Sequence, residues 1–242
     1  MFMALAFVAG VVRGYSGFGF AMILALGLLP SLAPTLVIPV VLMLDLVGSI
    51  SLWPRALKTF HRQVGLRLIV GMWLALPVGL LALARLPEQW TAPFAAGLCL
   101  LGGLLSLIKT QPPSSTQALN LHWALPAGIA SGLATAMASA GGPPLIVYLL
   151  RSGLPALQVR GTAIGFFAIG SASSLAVLAG LNVLSLAHLQ LATTLVLPSL
   201  AGSVLGQWLF RRKPMSLQRL VGGVLVLMAI ATLASRVVST PF

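Results

Sequence analysis

The sequence predicts an all-α integral membrane protein built of two inverted repeats, each a broken or re-entrant helix hairpin plus three transmembrane helices. Three observations lead there. Of 242 residues, 59% are hydrophobic and 7% charged, whereas soluble domains carry about 25% charged residues. Apolar runs of roughly 18 residues or more, enough for a helix to cross about 30 Å of hydrocarbon, recur along the chain; the two-residue alternation of a transmembrane barrel is absent. Two further apolar stretches are interrupted midway by small residues and prolines, which a continuous helix does not accommodate.

The uninterrupted spans fall near 34–53, 66–84, 91–108, 162–181, 187–210 and 217–235. Trp53, Trp90, Trp123 and Trp208 lie at or near span ends, where an amphipathic ring favours the headgroup level, while Trp73 falls inside a span and is expected to be packed. Met1 to Gly10 is apolar without a basic flank, so it belongs to the first membrane element rather than to a secretory signal. Cys99 is a lone cysteine and His61, His122 and His188 are far apart, so no disulfide, metal site or cofactor is expected. The net charge of +12 sits in short loops between apolar spans. It therefore marks the cytoplasmic side of a multi-pass protein of the inner or plasma membrane, and no nucleic acid partner is implied.

The interrupted stretches are residues 2–30 and 121–150, broken at Gly14-Tyr15-Ser16-Gly17-Phe18-Gly19 and at Ser139-Ala140-Gly141-Gly142-Pro143-Pro144. The two halves repeat at an offset of about 122 residues: Gly10 matches Gly132, Gly19 matches Gly141, Gly48-Ser49 matches Gly170-Ser171 and, with one gap, Pro77 matches Pro198. The polar stretch Gln111 to Gln117 then links a first repeat, 1–115, to a second, 116–242.

Charge placement sets the topology. The loop with Arg55, Lys58, Arg62 and Arg67 and the loop with Arg211, Arg212, Lys213 and Arg219 are both basic and both expected to be cytoplasmic. Five crossings between them would put them on opposite sides. Four crossings result if 121–150 dips in and returns, and arms of about 14 residues reach roughly 21 Å, past the midplane but short of a span. The repeat then gives 2–30 the same shape from the other side. Inverted repeats whose broken helices meet near the midplane are an arrangement of secondary transporters. The rival arrangement is eight full crossings with parallel halves.

At these residues the sequence resembles the sulfite exporter TauE/SafE family, also called the 4-toluene sulfonate uptake permeases. The similarity rests on Arg13-Gly14-Tyr15-Ser16-Gly17-Phe18-Gly19-Phe20-Ala21, its echo Ser139 to Pro144, and Leu76-Pro77-Val78-Gly79. Where the family's first motif often has a third glycine, this chain has Phe20. The resemblance implies export or uptake of sulfite, sulfonates or related organic anions across the lipid bilayer.

A helix that starts inside the membrane presents unpaired amides and the positive end of its dipole, a natural anion site. The candidate substrate-binding groups are the amides of Gly17, Phe18 and Gly19 and of Ala140, Gly141 and Gly142, assisted by the hydroxyls of Ser16 and Ser139. The competing reading is that these small residues only let helices pack closely. Arg13, charged within an apolar run, either binds the anion's oxygens through its planar guanidinium, or pairs with Asp45, or caps the first arm's carbonyls. Asp45, the only aspartate, is either such a partner or a proton-coupling group. Arg160 either guides anions at the cytoplasmic mouth or anchors its helix at the interface.

An intramembrane enzyme is disfavoured. One aspartate cannot make an aspartyl pair, no His-Glu-x-x-His motif is present, and no histidine accompanies Ser16 or Ser139. A passive anion channel shares the same site logic. The sequence is compatible with a homo-oligomer and leaves substrate, direction and coupling ion open.

Overall fold

A computed structural model of the chain describes residues 1–85, 97, 100, 101, 104, 121–139, 141–212, 223, 226 and 230. The expected span 217–235 and most of 91–108, the linker, and Ala140 lie outside the described residues. Every secondary-structure element among the described residues is an α-helix: α1 (Phe2–Ser16), α2 (Phe20–Leu28), α3 (Pro34–Thr59), α4 (Arg62–Arg85), α5 (Ala124–Ala138), α6 (Gly142–Arg151), α7 (Ala156–Gly180) and α8 (Leu186–Arg212). Away from their ends, helices satisfy their backbone polar groups internally, which lipid demands. Three of them, at Pro34–Pro54, Ala156–Gly180 and Leu186–Arg212, are long and apolar enough to cross a membrane. By contrast α1 and α5 have 15 residues each, α6 has 10 and α2 has 9, so none reaches more than about 22 Å.

Local chemistry sets the boundaries. Gly17 takes φ 85° and Gly19 φ 90°, a left-handed region open to glycine, so α1 ends and α2 begins within three residues. Ser139 ends α5 at φ 52°, without glycine's freedom. Pro34 opens α3 and Pro143 and Pro144 stand in the first turn of α6, where a missing donor costs nothing. The starts Phe2, Phe20 and Pro34 recur as Ala124, Gly142 and Ala156, each 122 residues later.

Small residues bring helices into backbone contact and reveal their directions. Gly10 backs on Ser199, Gly14 on Ser203 and Gly206 on Val11, so α1 and α8 run the same way. Gly128 meets Leu68 and Gly132 meets Met72, so α4 and α5 also run together. In contrast α3 and α7 are antiparallel: Gly161 meets Ala56 and Thr59, while Ser171 reaches Asp45. Gly27 lies against Leu5, so α2 doubles back along α1. Trp123 and Arg151 share one groove, so α6 likewise returns to where α5 began. The major contacts are mirrored: α1 on α8 as α5 on α4, α3 on α8 as α7 on α4, and α3 on α7 between them.

These directions gather Lys58, Arg62, Arg67, Arg151, Arg160, Arg211 and Arg212 at one end of the bundle. At the other end, buried His188 lies 2.7 Å from the Ser185 hydroxyl and 3.0 Å from the Thr35 carbonyl, tying the start of α8 to the start of α3. Much of the outer surface is apolar, with Leu66, Val70, Leu74, Val78 and Leu81 exposed along α4 and Leu189, Leu197, Val204 and Trp208 along α8. A soluble bundle would be polar there. Trp73 corrects one expectation. It is 53% exposed on that apolar surface rather than packed, and its indole N–H donates to Ser173 Oγ at 3.0 Å.

Candidate anion site

Arg13 lies in the last turn of α1, where the negative end of the helix dipole favours a cation. It is 1% exposed. A buried charge needs partners, and the fold supplies them from α3: Arg13 Nη1 donates to Asp45 Oδ1 and Nη2 donates to Ser49 Oγ. Asp45 is held from the other half, its Oδ2 accepting from the Ser171 hydroxyl on α7 at 2.6 Å. Gly48 leaves space beside the guanidinium: a Cβ there would stand 3.4 Å from Arg13 Nε. The guanidinium carbon also lies 5.6 Å from the Phe20 ring centre. Phe20 thus contributes to holding the cation.

Sequence reasoning singled out Arg13 and Asp45 but gave no role to Ser49 and Ser171. The available signal was the repeated Gly-Ser pair, Gly48-Ser49 and Gly170-Ser171, which brings one hydroxyl from each half to the same ion pair.

The donors at the first break differ from the expected set. The Gly17 N–H donates to Arg13 O at 2.7 Å, because a left-handed residue at a helix C-terminus turns its amide back onto the last carbonyls. The Phe18 N–H donates to Ser16 Oγ at 3.3 Å, and that hydroxyl lies 2.7 Å from Val12 O and 2.8 Å from Phe18 O. Ser16, Gly17 and Phe18 therefore use their polar groups to close the end of α1. The first bond of α2 runs from Ile23 N–H to Gly19 O at 3.1 Å. The amides that α2 leaves over are those of its first turn, Phe20, Ala21 and Met22, together with the Gly19 amide.

At the second break, the Ser139 N–H donates to Thr135 O at 2.9 Å. Gly141 packs against Ser131 and Thr135, where a Cβ would overlap the Thr135 hydroxyl. Pro143 and Pro144 have no N–H, so Gly141 and Gly142 are the amide donors that the described residues bring to the start of α6. The two breaks touch: the missing side chain of Gly142 faces Met22 Sδ at 3.3 Å and the Phe18 ring at 3.9 Å.

Between them lies a small cavity bounded by Arg13, Gly19, Ala21, Asp45, Ser139 and Gly142, with Phe18, Met22 and Phe167 completing its wall. Its free volume is about 10 Å³, the room of a single water. On two of the residues that bound it, Arg13 Nε and Ser139 Oγ are buried and make no hydrogen bond among the described residues. Such orphans are costly unless something binds them, and here they come from opposite halves of the chain. On the side toward the basic end, Arg160 seals the break: its Nη2 donates to Gly14 O at 2.7 Å, its guanidinium stacks 4.6 Å from the Phe210 ring centre, and Tyr15 meets that ring edge-on at 5.5 Å. Arg160 rather than Arg13 thus caps the carbonyls of α1.

Fold and site define a helical membrane protein with a small cavity, bounded by Arg13, Asp45 and Ser139, where two interrupted helices meet. The sequence profile of the sulfite exporter TauE/SafE family matches residues 2–232, and the chain belongs to that family. Its members form a transporter family for sulfite and related anions. Neither a curated protein nor a solved structure matches the chain.

Proposed function

We propose that the protein is a secondary transporter that exports small anions such as sulfite, sulfonates or related organic anions by alternating access. The anion sits between Arg13, Ser139 and the two broken-helix N-termini. The observation that carries this reading is a pair of buried donors unsatisfied among the described residues, Arg13 Nε and Ser139 Oγ, on residues that bound one cavity with Gly19 and Gly142. Two repeats, 1–115 and 116–242, are each a re-entrant hairpin plus three spans in opposite orientation. Support comes from the constant 122-residue spacing of three helix starts, the mirrored contacts, and the return of α2 and α6 toward the opposite ends from which α1 and α5 set out. The gathering of basic residues at one end makes that end cytoplasmic. It also concentrates anions there, which favours export.

An anion reaching Arg13 competes with Asp45. Two unit negative charges about 4 Å apart repel by roughly 4 kcal/mol at an effective dielectric near 20, so Asp45 leaves the guanidinium and takes up a proton. Loading a monovalent anion, hydrogensulfite or a sulfonate, then adds one negative charge and one proton together, leaving the net charge unchanged. Export runs down the substrate's gradient, and acid on the outside opposes it. The small free volume of the cavity and the Arg160–Phe210 contact favour a gated cycle over a standing pore.

The test is sulfite efflux from vesicles containing the purified protein. Efflux saturates with sulfite, slows when the outside is acidified, and is lost in Arg13→Ala although the variant inserts. Flux that rises linearly with voltage without saturating, or undiminished flux in Arg13→Ala, refutes the proposal.

A further inference from the structure

We propose that the groove between α5 and α6 is a binding site for an anionic phospholipid, with an acyl chain along the groove and the phosphate at its basic mouth. The groove is separate from the cavity between the helix breaks. It has a volume of about 550 Å³, walls that include Pro126 and Ala130 from α5 and Pro144 and Val147 from α6, and a mouth formed by Trp123 and Arg151. The walls are short or rigid side chains, so the hairpin keeps a hollow where longer residues would fill it. Along α6 the hollow runs from Pro144 to Arg151, or about 10 Å.

Apolar walls alone select no occupant in a membrane, because lipid tails are as apolar as leucine. The mouth makes the selection. Arg151 is exposed in the last turn of α6, and Trp123, 65% exposed, stands at the level a headgroup occupies. Arg67 of α4 adds a second cation nearby: its Nη1 donates to Leu121 O at 3.2 Å at the foot of α5. No acidic residue is among the described residues lining the groove. All of this lies at the basic end of the bundle, and pockets of this kind on the cytoplasmic side recognise anionic headgroups. A free anion would leave the apolar walls unused. A second copy of the chain would bring its own basic end against this one.

Purified full-length protein is offered phosphatidylglycerol, phosphatidylcholine of the same acyl chains, or glycerol phosphate, and bound molecules are counted by native mass spectrometry. Phosphatidylglycerol is retained in preference to phosphatidylcholine, and glycerol phosphate is not retained. In Arg151→Gln the preference falls about five-fold. In Ala130→Phe, or Val147→Phe on the facing wall should the first not fold, retention of both lipids falls. Equal retention of the two lipids by the wild type, an unchanged preference in Arg151→Gln, retention of glycerol phosphate alone, or a dimer that Ala130→Phe dissolves without loss of lipid would each overturn the proposal.

Discussion

Asp45→Asn isolates the competition at the heart of the proposed cycle. Asparagine keeps the shape of the side chain and can still accept from the Ser171 hydroxyl, but it offers Arg13 no charge. Arg13 is 1% exposed, and removing one partner of a buried ion pair costs about 3–5 kcal/mol. Ser49 and the Phe20 ring remain and reduce that loss. An anion that binds the freed guanidinium takes the place of Asp45 and recovers the stability. In the wild type that anion must displace a carboxylate worth up to roughly 4 kcal/mol, so affinity in the variant rises by tenfold or more, with nearly a thousandfold as the ceiling. Sulfite at about 100 times its dissociation constant then adds about 2.7 kcal/mol of stability. The empty variant must reorient with an unpaired charge, so net efflux falls, whereas exchange of internal for external sulfite, in which the loaded form alone moves, continues and loses its pH dependence. Thermal unfolding in detergent with and without sulfite, together with net and exchange flux in vesicles, measures both effects. If Asp45→Asn gains no more stability from sulfite than the wild type and transports with the same pH dependence, Asp45 and the anion do not compete for Arg13.

Other substitutions divide the remaining roles. Ser139→Gly removes the orphan hydroxyl while suiting the left-handed backbone at φ 52°; the protein stays as stable or gains a fraction of a kcal/mol, yet sulfite affinity falls about two- to tenfold, the worth of one hydrogen bond. Stability and affinity measured on the same sample test this, and unchanged affinity removes Ser139 from the site. Arg160→Gln loses the Phe210 contact and weakens the cap on Gly14. The plug on the side of the basic end loosens, and accessibility of a cysteine placed at Ala21 to a thiol reagent added on that side rises severalfold; no rise means that Arg160 is only an anchor.

The membrane class, the two interruptions and the basic end were legible in the sequence, because each rests on chemistry local to a few residues. Glycine's tolerance of positive φ and proline's missing donor mark Gly17, Gly19, Pro143 and Pro144 wherever they fall. Fully apolar runs admit one environment, and arginines in short connections remain near helix ends however the helices are arranged. The short helices α1 and α5 follow from the same local signals. Which polar groups meet inside was decided only by packing across the chain. Ser171 reaches Asp45 from 126 positions away and Arg160 reaches Gly14 from 146, through faces of helices on which polar and apolar residues carry no consistent period. For the same reason the free amides at the first break are those from Gly19 onward rather than those of Gly17 and Phe18: composition shows that a helix ends, but only the folded backbone determines which amides its cap consumes.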